Sequence, residues 1–384
     1  MKTQKNNIKI KDRKIIPVNS PVITLEDAKS IFHAAKTGWV SSAGKQIEDF
    51  ENSFSKFIGL KYATTVSSGT AALEIAIKAL GIKKGDEVII PNFTIISNAL
   101  CVIRQGATPV YVDCNKFNWN MKIEDIEKKI NKRTKAIIAT HIYNFPIDIY
   151  KIKKIAASHK VALIEDDAEV LGHKFKRQYC GSFGDISIFS FYANKHITTG
   201  EGGMILSNNK FLIDKCKSLK NLCFGKIDRF SHDDIGWNYR MTNLQAALGF
   251  SQLKRIKHII KIKKNIGNIY YNFLKNNNKI YIPPPKKENF ENIYWIVGIV
   301  LNKNSQINAK TFAKKLLRKN IETRPFFYPM NKQKILKEFN LANKNDKFPN
   351  SEYISEFGLY LPSGINIKYN EIKYICDEVN SILN

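Results

Sequence analysis

Acidic residues are scarce in this chain: 34 Asp and Glu stand against 61 Lys and Arg in 384 residues, a formal charge of +27. So basic a balance raises the question of a nucleic-acid or anionic-membrane partner. The lysines, however, are spread from end to end among Ile and Asn, and RNP, zinc-finger and basic-zipper patterns are all missing. No nucleic-acid partner is therefore expected, and the excess of cations is left with the weaker role of attracting an anionic small substrate. The six cysteines (Cys101, Cys114, Cys180, Cys216, Cys223, Cys376) form no CxxC pair and lie far apart. That argues against a zinc ribbon or a disulfide framework, predicts that no metal is held, and places the chain in a reduced, cytoplasmic setting. No stretch approaches the roughly 18 apolar residues of a membrane span. The opening residues, as far as Val18, are charged and lack an apolar h-region, so neither a membrane partner nor an export signal is expected. Repeats are absent as well.

What is present is enough apolar material, 43% of the chain, for a sizeable core. At about 150 residues per domain the length fits roughly two domains. The reading is a basic tail over 1–15, a large domain over 16–251 and a smaller one over 252–384. Short apolar runs at Val88–Ile90, Pro109–Val112, Ala136–Ala139 and Val161–Ile164 read as strands. Between them, Ser97–Arg104, Ile123–Ile130 and Ile149–Ser158 read as helices, after earlier ones at Leu25–Lys36, Gln46–Ile58 and Ala71–Leu80. Strand-helix alternation with continuous apolar strands predicts an α/β fold, its sheet mostly parallel and covered on both faces. From about Gln252 the pattern changes to a long basic helix as far as Lys275, an apolar strand at Tyr294–Leu301, a helix at Ala309–Arg318 and a last helix at Glu371–Leu383.

In an open α/β sheet, ligands sit at the carboxyl ends of the strands. Asp166 and Glu169 follow the run Val161–Ile164, and Lys195 follows Ile186–Tyr192 within the turn-rich stretch from Gly184 to Gly203. Two readings stand for Lys195. It is one more solvated lysine, or, among Tyr192, Ala193, Ile197 and glycines, a desolvated amine whose lowered pKa makes it a nucleophile toward a carbonyl. The stretch Ser67–Thr70 runs into a helix and reads either as a simple N-cap or as a set of amides that cradles a phosphate. It is no Walker loop, since GK[ST] is missing. A lysine, a carboxylate and a phosphate cradle on one sheet edge are together what pyridoxal 5'-phosphate requires: a Schiff-base anchor, a partner for the protonated ring nitrogen, and a helix N-terminus.

The motifs SSGTAAL (67–73), GDEVIIP (85–91), IEDDAEVLG (164–172), SFYANKHITTGEGGM (190–204), GWNYRMTNLQAALG (236–249) and ETRPFFYP (322–329) resemble the sugar-nucleotide aminotransferases of the DegT/DnrJ/EryC1/StrS group, nearly from end to end. The resemblance implies the aspartate-aminotransferase (type I) fold and, among the branches, is greatest to GDP-perosamine synthases. It implies that Lys195 is the Schiff-base lysine, Asp166 the partner of the pyridine nitrogen and Glu169 a neighbour of the ring hydroxyl. Ser190 and the amides of Gly69 and Thr70 would then hold the phosphate, and Asn238 would reach it from the other subunit of a homodimer. Ile95 stands where many members stack an aromatic on the ring. Trp39, Arg324 and Tyr328 fall where the group contacts a nucleotide-linked 4-keto-6-deoxy sugar, with L-glutamate as amino donor. The chain departs from the pattern at Asp167, a further carboxylate beside Asp166, at Asn144 in place of a common Gly, and at Asn331 in place of a frequent His. A UDP- or dTDP-linked substrate giving viosamine is the alternative acceptor. A sugar 3-dehydratase of the same fold would carry His at the lysine position, where this chain has Lys195 followed by His196.

Overall fold

Seven short runs, nearly every residue of them buried, form one sheet. In the computed structural model, which describes residues 14–384 apart from 144, 226, 288–289, 339–340 and 342–345, they are β1 (Tyr62–Val66), β2 (Glu87–Pro91), β3 (Thr108–Val112), β4 (Thr134–Thr140), β5 (Ala162–Asp166), β6 (Ile186–Ser190) and β7 (Gly203–Ser207). The expected basic tail therefore lies almost wholly outside the described residues, as does Asn144. The strand order is β1-β7-β6-β5-β4-β2-β3. Six strands run one way, and β7 alone is antiparallel to both neighbours. Strand direction is not legible in an apolar run. It follows here from the connection: residues 191–202 form a loop rather than a crossover helix, so the chain can only turn back beside β6. That loop, left at the carboxyl end of β6, carries Lys195.

Helices α1 (Leu25–Lys36), α2 (Lys45–Ile58), α3 (Gly69–Ala79), α4 (Ser97–Arg104), α5 (Ile123–Lys129), α6 (Ile149–His159), α7 (Lys210–Leu219) and α8 (Asn243–Lys254) cover the sheet. Val66, Ile75, Val102, Ile188 and Ile213 belong to the core on one face, under α3, α4 and α7. Ile89, Ile126, Ile137 and Ile152 belong to the core on the other, under α5 and α6. The helices form for local reasons. Phe50, Phe54 and Ile58 recur every fourth residue in α2, all buried, and Gly59 ends the helix at φ +90°. In α8, Thr242 and Gln245 complete a capping box, a T-x-x-Q signal present in the sequence.

Apart from short ribbons, 3-10 turns and a five-residue helix at Lys334–Glu338, the elements that follow are α9 (Ile256–Leu274), β8 (Ile280–Tyr281), β9 (Val297–Leu301), α10 (Ala309–Leu317), β10 (Arg324–Pro325), α11 (Pro349–Phe357), β11 (Gly358–Leu361) and α12 (Tyr369–Leu383). Their four strands form an antiparallel sheet in the order β8-β9-β11-β10. Ile16, from the start of the described chain, bridges to Ile321 and is buried in the same core. No helix among the described residues is long and apolar enough to cross a membrane.

Two elements differ from the periodicity. The long basic helix begins earlier than Gln252 and breaks at Arg255, which leaves helical geometry at φ −109°, ψ 13°. There the Arg255 guanidinium bonds the buried Asp27 carboxylate, at 2.5 Å, and the Val22 carbonyl. The strand read from Tyr294 begins only at Val297, because Tyr294 sits at φ +50° and turns the chain before the strand starts.

The helix α11 has no cap of its own, since Phe348 precedes it and Pro349 opens it. Its first two amides, of Asn350 and Ser351, instead donate to the carboxylate of Asp113 just beyond β3, at 3.2 and 2.9 Å. The Ser351 hydroxyl adds a third bond, at 2.5 Å. An N-terminal acid is thus supplied by a residue more than two hundred positions away, and it pins the second region onto the first. Replacing it strips acceptors from buried N–H groups at the positive end of a helix dipole. Asp113→Ala is expected to lower stability by about 2–3 kcal/mol, read as a fall in urea midpoint; an unchanged midpoint would show the contact to be idle.

Candidate functional site

At the carboxyl ends of β1, β5 and β6 lies a cavity of about 380 Å³. Seven of the residues singled out in the sequence line it: Gly69, Thr70, Ile95, Asp166, Glu169, Ser190 and Lys195. β1 leads into the turn before α3, β5 ends on Asp166, β6 ends on Ser190, and the loop after it brings Lys195 across. A larger cavity of about 850 Å³ lies among α10, α11 and residues 322–332, but it lacks all seven of these groups.

At the phosphate end, Ser68 caps α3 by accepting from the Ala71 amide at 3.1 Å. The amides of Gly69 and Thr70 are left at the open, positive end of the helix. A Cβ at Gly69 would stand 2.9 Å from the Ser190 Cβ and 3.2 Å from its Oγ. Only glycine lets the helix end close onto Ser190. Thr70 Oγ1 shares a hydrogen bond of 2.9 Å with Ser97. Amides, hydroxyls and a glycine gap make a cradle suited to a phosphate, and the fit to pyridoxal phosphate holds at this end.

At the other end, Asp166 is buried and held on both oxygens. Asn98 donates to Oδ2 at 2.9 Å, Thr140 to the same atom at 3.3 Å, and the Ala168 amide to Oδ1 at 3.2 Å. Burial pushes its pKa up, while these bonds and the Lys195 charge pull it down. A protonated ring nitrogen beside it would favour the carboxylate further. Neither Asn98 nor Thr140 was found from the sequence, although Thr140 ends a strand at the sheet edge where ligands bind.

Glu169 accepts the Tyr143 amide at 2.6 Å, and burial raises its pKa against the pull of Lys195. Lys195 is shifted the opposite way. Burial lowers it, and Glu169 and Asp166 oppose that. More of it is therefore free amine at neutral pH than of an ordinary lysine, which is the reactive reading of the two. Its Nζ stands 3.6 Å from the centroid of the Trp295 ring. Tyr143 stacks on Phe327 at 4.9 Å, and both line the cavity with Trp295 and Tyr360. Of these aromatics only Phe327 falls in a motif picked out in the sequence, ETRPFFYP, and none of the four was assigned to the site from it.

Other residues fall elsewhere. Asn238 is exposed, accepts from Arg240 Nε at 2.9 Å, and does not line the cavity of its own chain. Trp39 is 60% exposed and also lies off that cavity. Arg324 lines a small adjoining pocket with Asn194, Tyr192 and Trp295, and Tyr328 lines the 850 Å³ cavity. Asn331 is bonded to Asn92 at 2.9 Å and to Glu352 at 2.7 Å. Asp167 is pushed toward its neutral form: burial first, then the carboxylates of Glu165 and Asp166, raise its pKa well above the usual carboxylate range. His141, Glu165 and Asp167 bring three possible metal-ligand atoms within 4.8 Å. Yet His141 Nδ1 accepts the Ile147 amide at 3.0 Å, so the ring proton sits on Nε2, facing Glu165 at 3.0 Å. That nitrogen is occupied by a hydrogen bond rather than open to a cation.

The cradle yields a direct test. Gly69→Ala places a methyl group against Ser190 and moves the amides off the phosphate, so affinity for pyridoxal phosphate is expected to fall at least tenfold while the fold survives. Titration of apoenzyme with the cofactor measures it, and undiminished affinity would place the phosphate elsewhere.

Comparison with known proteins agrees with this geometry. Residues 21–380 match the DegT/DnrJ/EryC1/StrS aminotransferase family. The chain is 40% identical to a GDP-perosamine synthase from Vibrio cholerae, covering 96% of this chain and 100% of that one. Its fold matches an aminotransferase TlmJ from Streptoalloteichus hindustanus with a TM-score of 0.90 at 23% identity, over 96% of this chain and 99% of that one. It also matches a putative sugar aminotransferase from Streptococcus pneumoniae in its PLP form, with a TM-score of 0.89 at 22% identity, over 96% and 98%. The chain belongs to the DegT/DnrJ/EryC1/StrS aminotransferase family and is a pyridoxal-phosphate-dependent aminotransferase.

Proposed function

We propose that this enzyme moves the amino group of L-glutamate to carbon 4 of a nucleotide-linked 4-keto-6-deoxyhexose, giving the 4-amino-4,6-dideoxy sugar. The observation that carries this reading is the gathering of Lys195, Asp166 and the open end of α3 around one cavity. Pyridoxal phosphate, when bound, supplies the carbonyl that takes up the amino group and the ring that accepts electrons. The chain supplies the rest. Gly69, Thr70 and Ser190 hold the phosphate, Asp166 keeps a proton on the ring nitrogen, and Asn98, Thr140 and the Ala168 amide keep Asp166 aimed. Lys195 Nζ, its pKa lowered by burial to about 8 so that the free amine is accessible, takes the proton from the α-carbon of glutamate and later delivers one to carbon 4 of the sugar. Lys195 lines the site cavity and His196 does not, lining instead a small neighbouring pocket, which supports the aminotransferase over a dehydratase.

GDP and a mannose configuration are favoured by the likeness to GDP-perosamine synthases along almost the whole of both chains. Rates on GDP-, UDP- and dTDP-linked 4-keto-6-deoxy sugars with glutamate test this. The GDP substrate is expected to lead by tenfold or more in kcat/KM, since an unpaired polar group at a mismatched base costs about 1–3 kcal/mol. A preference of that size for UDP or dTDP would overturn the base and leave the chemistry standing. Failure to aminate any of the three would overturn the acceptor class.

The working unit in this reading is a homodimer with shared sites. Asn238 is exposed and off its own cavity, and Ile227, Phe230 and Ile235 beside it expose apolar surface that a partner would cover. Lys195→Ala and Asn238→Ala chains are each expected to be impaired, the first by several orders of magnitude. Mixed, they should regain activity, because one site of the mixed dimer keeps both groups. No recovery in a confirmed mixed dimer would place Asn238 at its own chain's site.

A further inference from the structure

Lys195 is held by a residue exactly one hundred positions away that the chemistry above does not use. Trp295 is 6% exposed, and its indole Nε1–H donates to the backbone carbonyl of Asn194 at 2.8 Å. Asn19, from the start of the described chain, donates to the same carbonyl at 3.1 Å. The peptide that leads into Lys195 is therefore clamped from two sides. The same indole turns its face to the lysine, with Nζ 3.6 Å from the ring centroid. One side chain thus fixes both the base and the tip of the reactive residue.

The backbone beneath Trp295 is bent to allow this. Tyr294 is buried and holds φ +50°, a conformation that a bulky residue avoids. Its amide donates to the Asn292 side chain at 2.8 Å, which keeps the bend in place. Without the bend, β9 would begin earlier and residue 295 would take its place in the strand. Strain retained next to a reactive group is a mark of a positional requirement.

We propose that Trp295 is a positioning residue for Lys195, seating the free ammonium on its ring face and fixing the loop through its N–H. The proposal rests on Lys195 being the lysine that bonds the cofactor. An aromatic face attracts a cation, and more strongly where water is excluded. It therefore partly offsets the burial that drives the amine toward neutrality. Other groups act on the same nitrogen: Asp166 and Glu169 from the end of β5 raise its proton affinity. The phenols of Tyr143, Tyr192 and Tyr360 and the carboxylate of Glu201 share the cavity. The tryptophan meets the lysine at both ends, at its backbone through Asn194 and at its Nζ.

The test uses apoenzyme and follows, as a function of pH, the rate at which the chain captures pyridoxal phosphate covalently. The wild type defines a midpoint. In Trp295→Leu the ring face is gone while the site stays buried, so the midpoint is expected to fall by about one pH unit. In Trp295→Phe a face remains but the N–H is lost, so the midpoint should move less while capture slows several-fold. A merely structural role predicts the opposite sign, since a loosened, wetter site would raise the midpoint. An unmoved or raised midpoint in Trp295→Leu, with a wild type that captures normally, would overturn the role of Trp295 alone. A wild type that captures nothing would overturn the reading of Lys195 and the proposal with it. If the leucine variant does not fold, tryptophan emission of apoenzyme between about pH 6 and 10 decides. A step in the wild type that vanishes in Lys195→Ala supports the contact, and superimposable curves overturn it.

Discussion

A carboxyl group and an amine, both deprived of water in one cavity, are the constraint on which this structure turns. Desolvation favours the neutral form of each, so it raises Asp166 and lowers Lys195. A lysine poised near neutrality is useful as a nucleophile and base; a neutral Asp166 would not be. The fold resolves the conflict unevenly. Asp166 receives hydrogen bonds from Asn98, Thr140 and the Ala168 amide, which favour the anion and offset part of the upward push of burial. Lys195 Nζ has instead the face of an aromatic ring and two carboxylates nearby, and among the described residues no hydrogen bond from it is seen. Unequal compensation of an equal loss of solvent separates the roles of the two groups.

The rest of the architecture serves to deliver these groups to one place. Parallel strands bring their carboxyl ends to a common edge, and β5 and β6 end on Asp166 and Ser190. The single reversed strand, β7, removes the need for a crossover helix and frees the loop of Lys195 to fold back over the edge. The second region closes the site by contributing Trp295, Phe327 and Tyr360. Its own position is set partly by Asp113, which caps α11 from across the interface between the two regions. A carboxylate in that position does two things at once. It satisfies helix amides that nothing local could satisfy, and it couples the two regions whose junction forms the cavity wall.

What a sequence conveys well is whatever depends on near neighbours. Strand and helix positions through α6 follow from apolar periodicity, and α1 and α4 are placed to the residue. The cradle at Gly69, the carboxylate at Asp166 and the amine at Lys195 were legible because each is a short motif at the end of a strand. Asn98 and Thr140 were not, since a buried Asn in a helix and a Thr ending a strand look the same whether or not they serve a carboxylate. Asp167 misled in a different way. Its charge is written in the sequence, but burial beside two other carboxylates raises its pKa and disfavours that charge.

The amino-acid sequence by itself determined the alternation of elements, the α/β class and most of the candidate groups that line the cavity, because spacing and side-chain type act locally. Only tertiary structure decided the direction of β7, the break at Arg255, the late start of β9 and the partners of Asp166. It also decided that Trp39, Tyr328 and Asn238 do not line the cavity that holds Lys195 in the same chain and that Arg324 sits in a pocket adjoining it. Each of these depends on residues distant along the chain: Asp27 drawing Arg255 out of its helix, Asn194 receiving the N–H of Trp295. Contacts of that kind exist only in the folded chain, where desolvation makes an unpaired polar group costly and the chain bends to pair it.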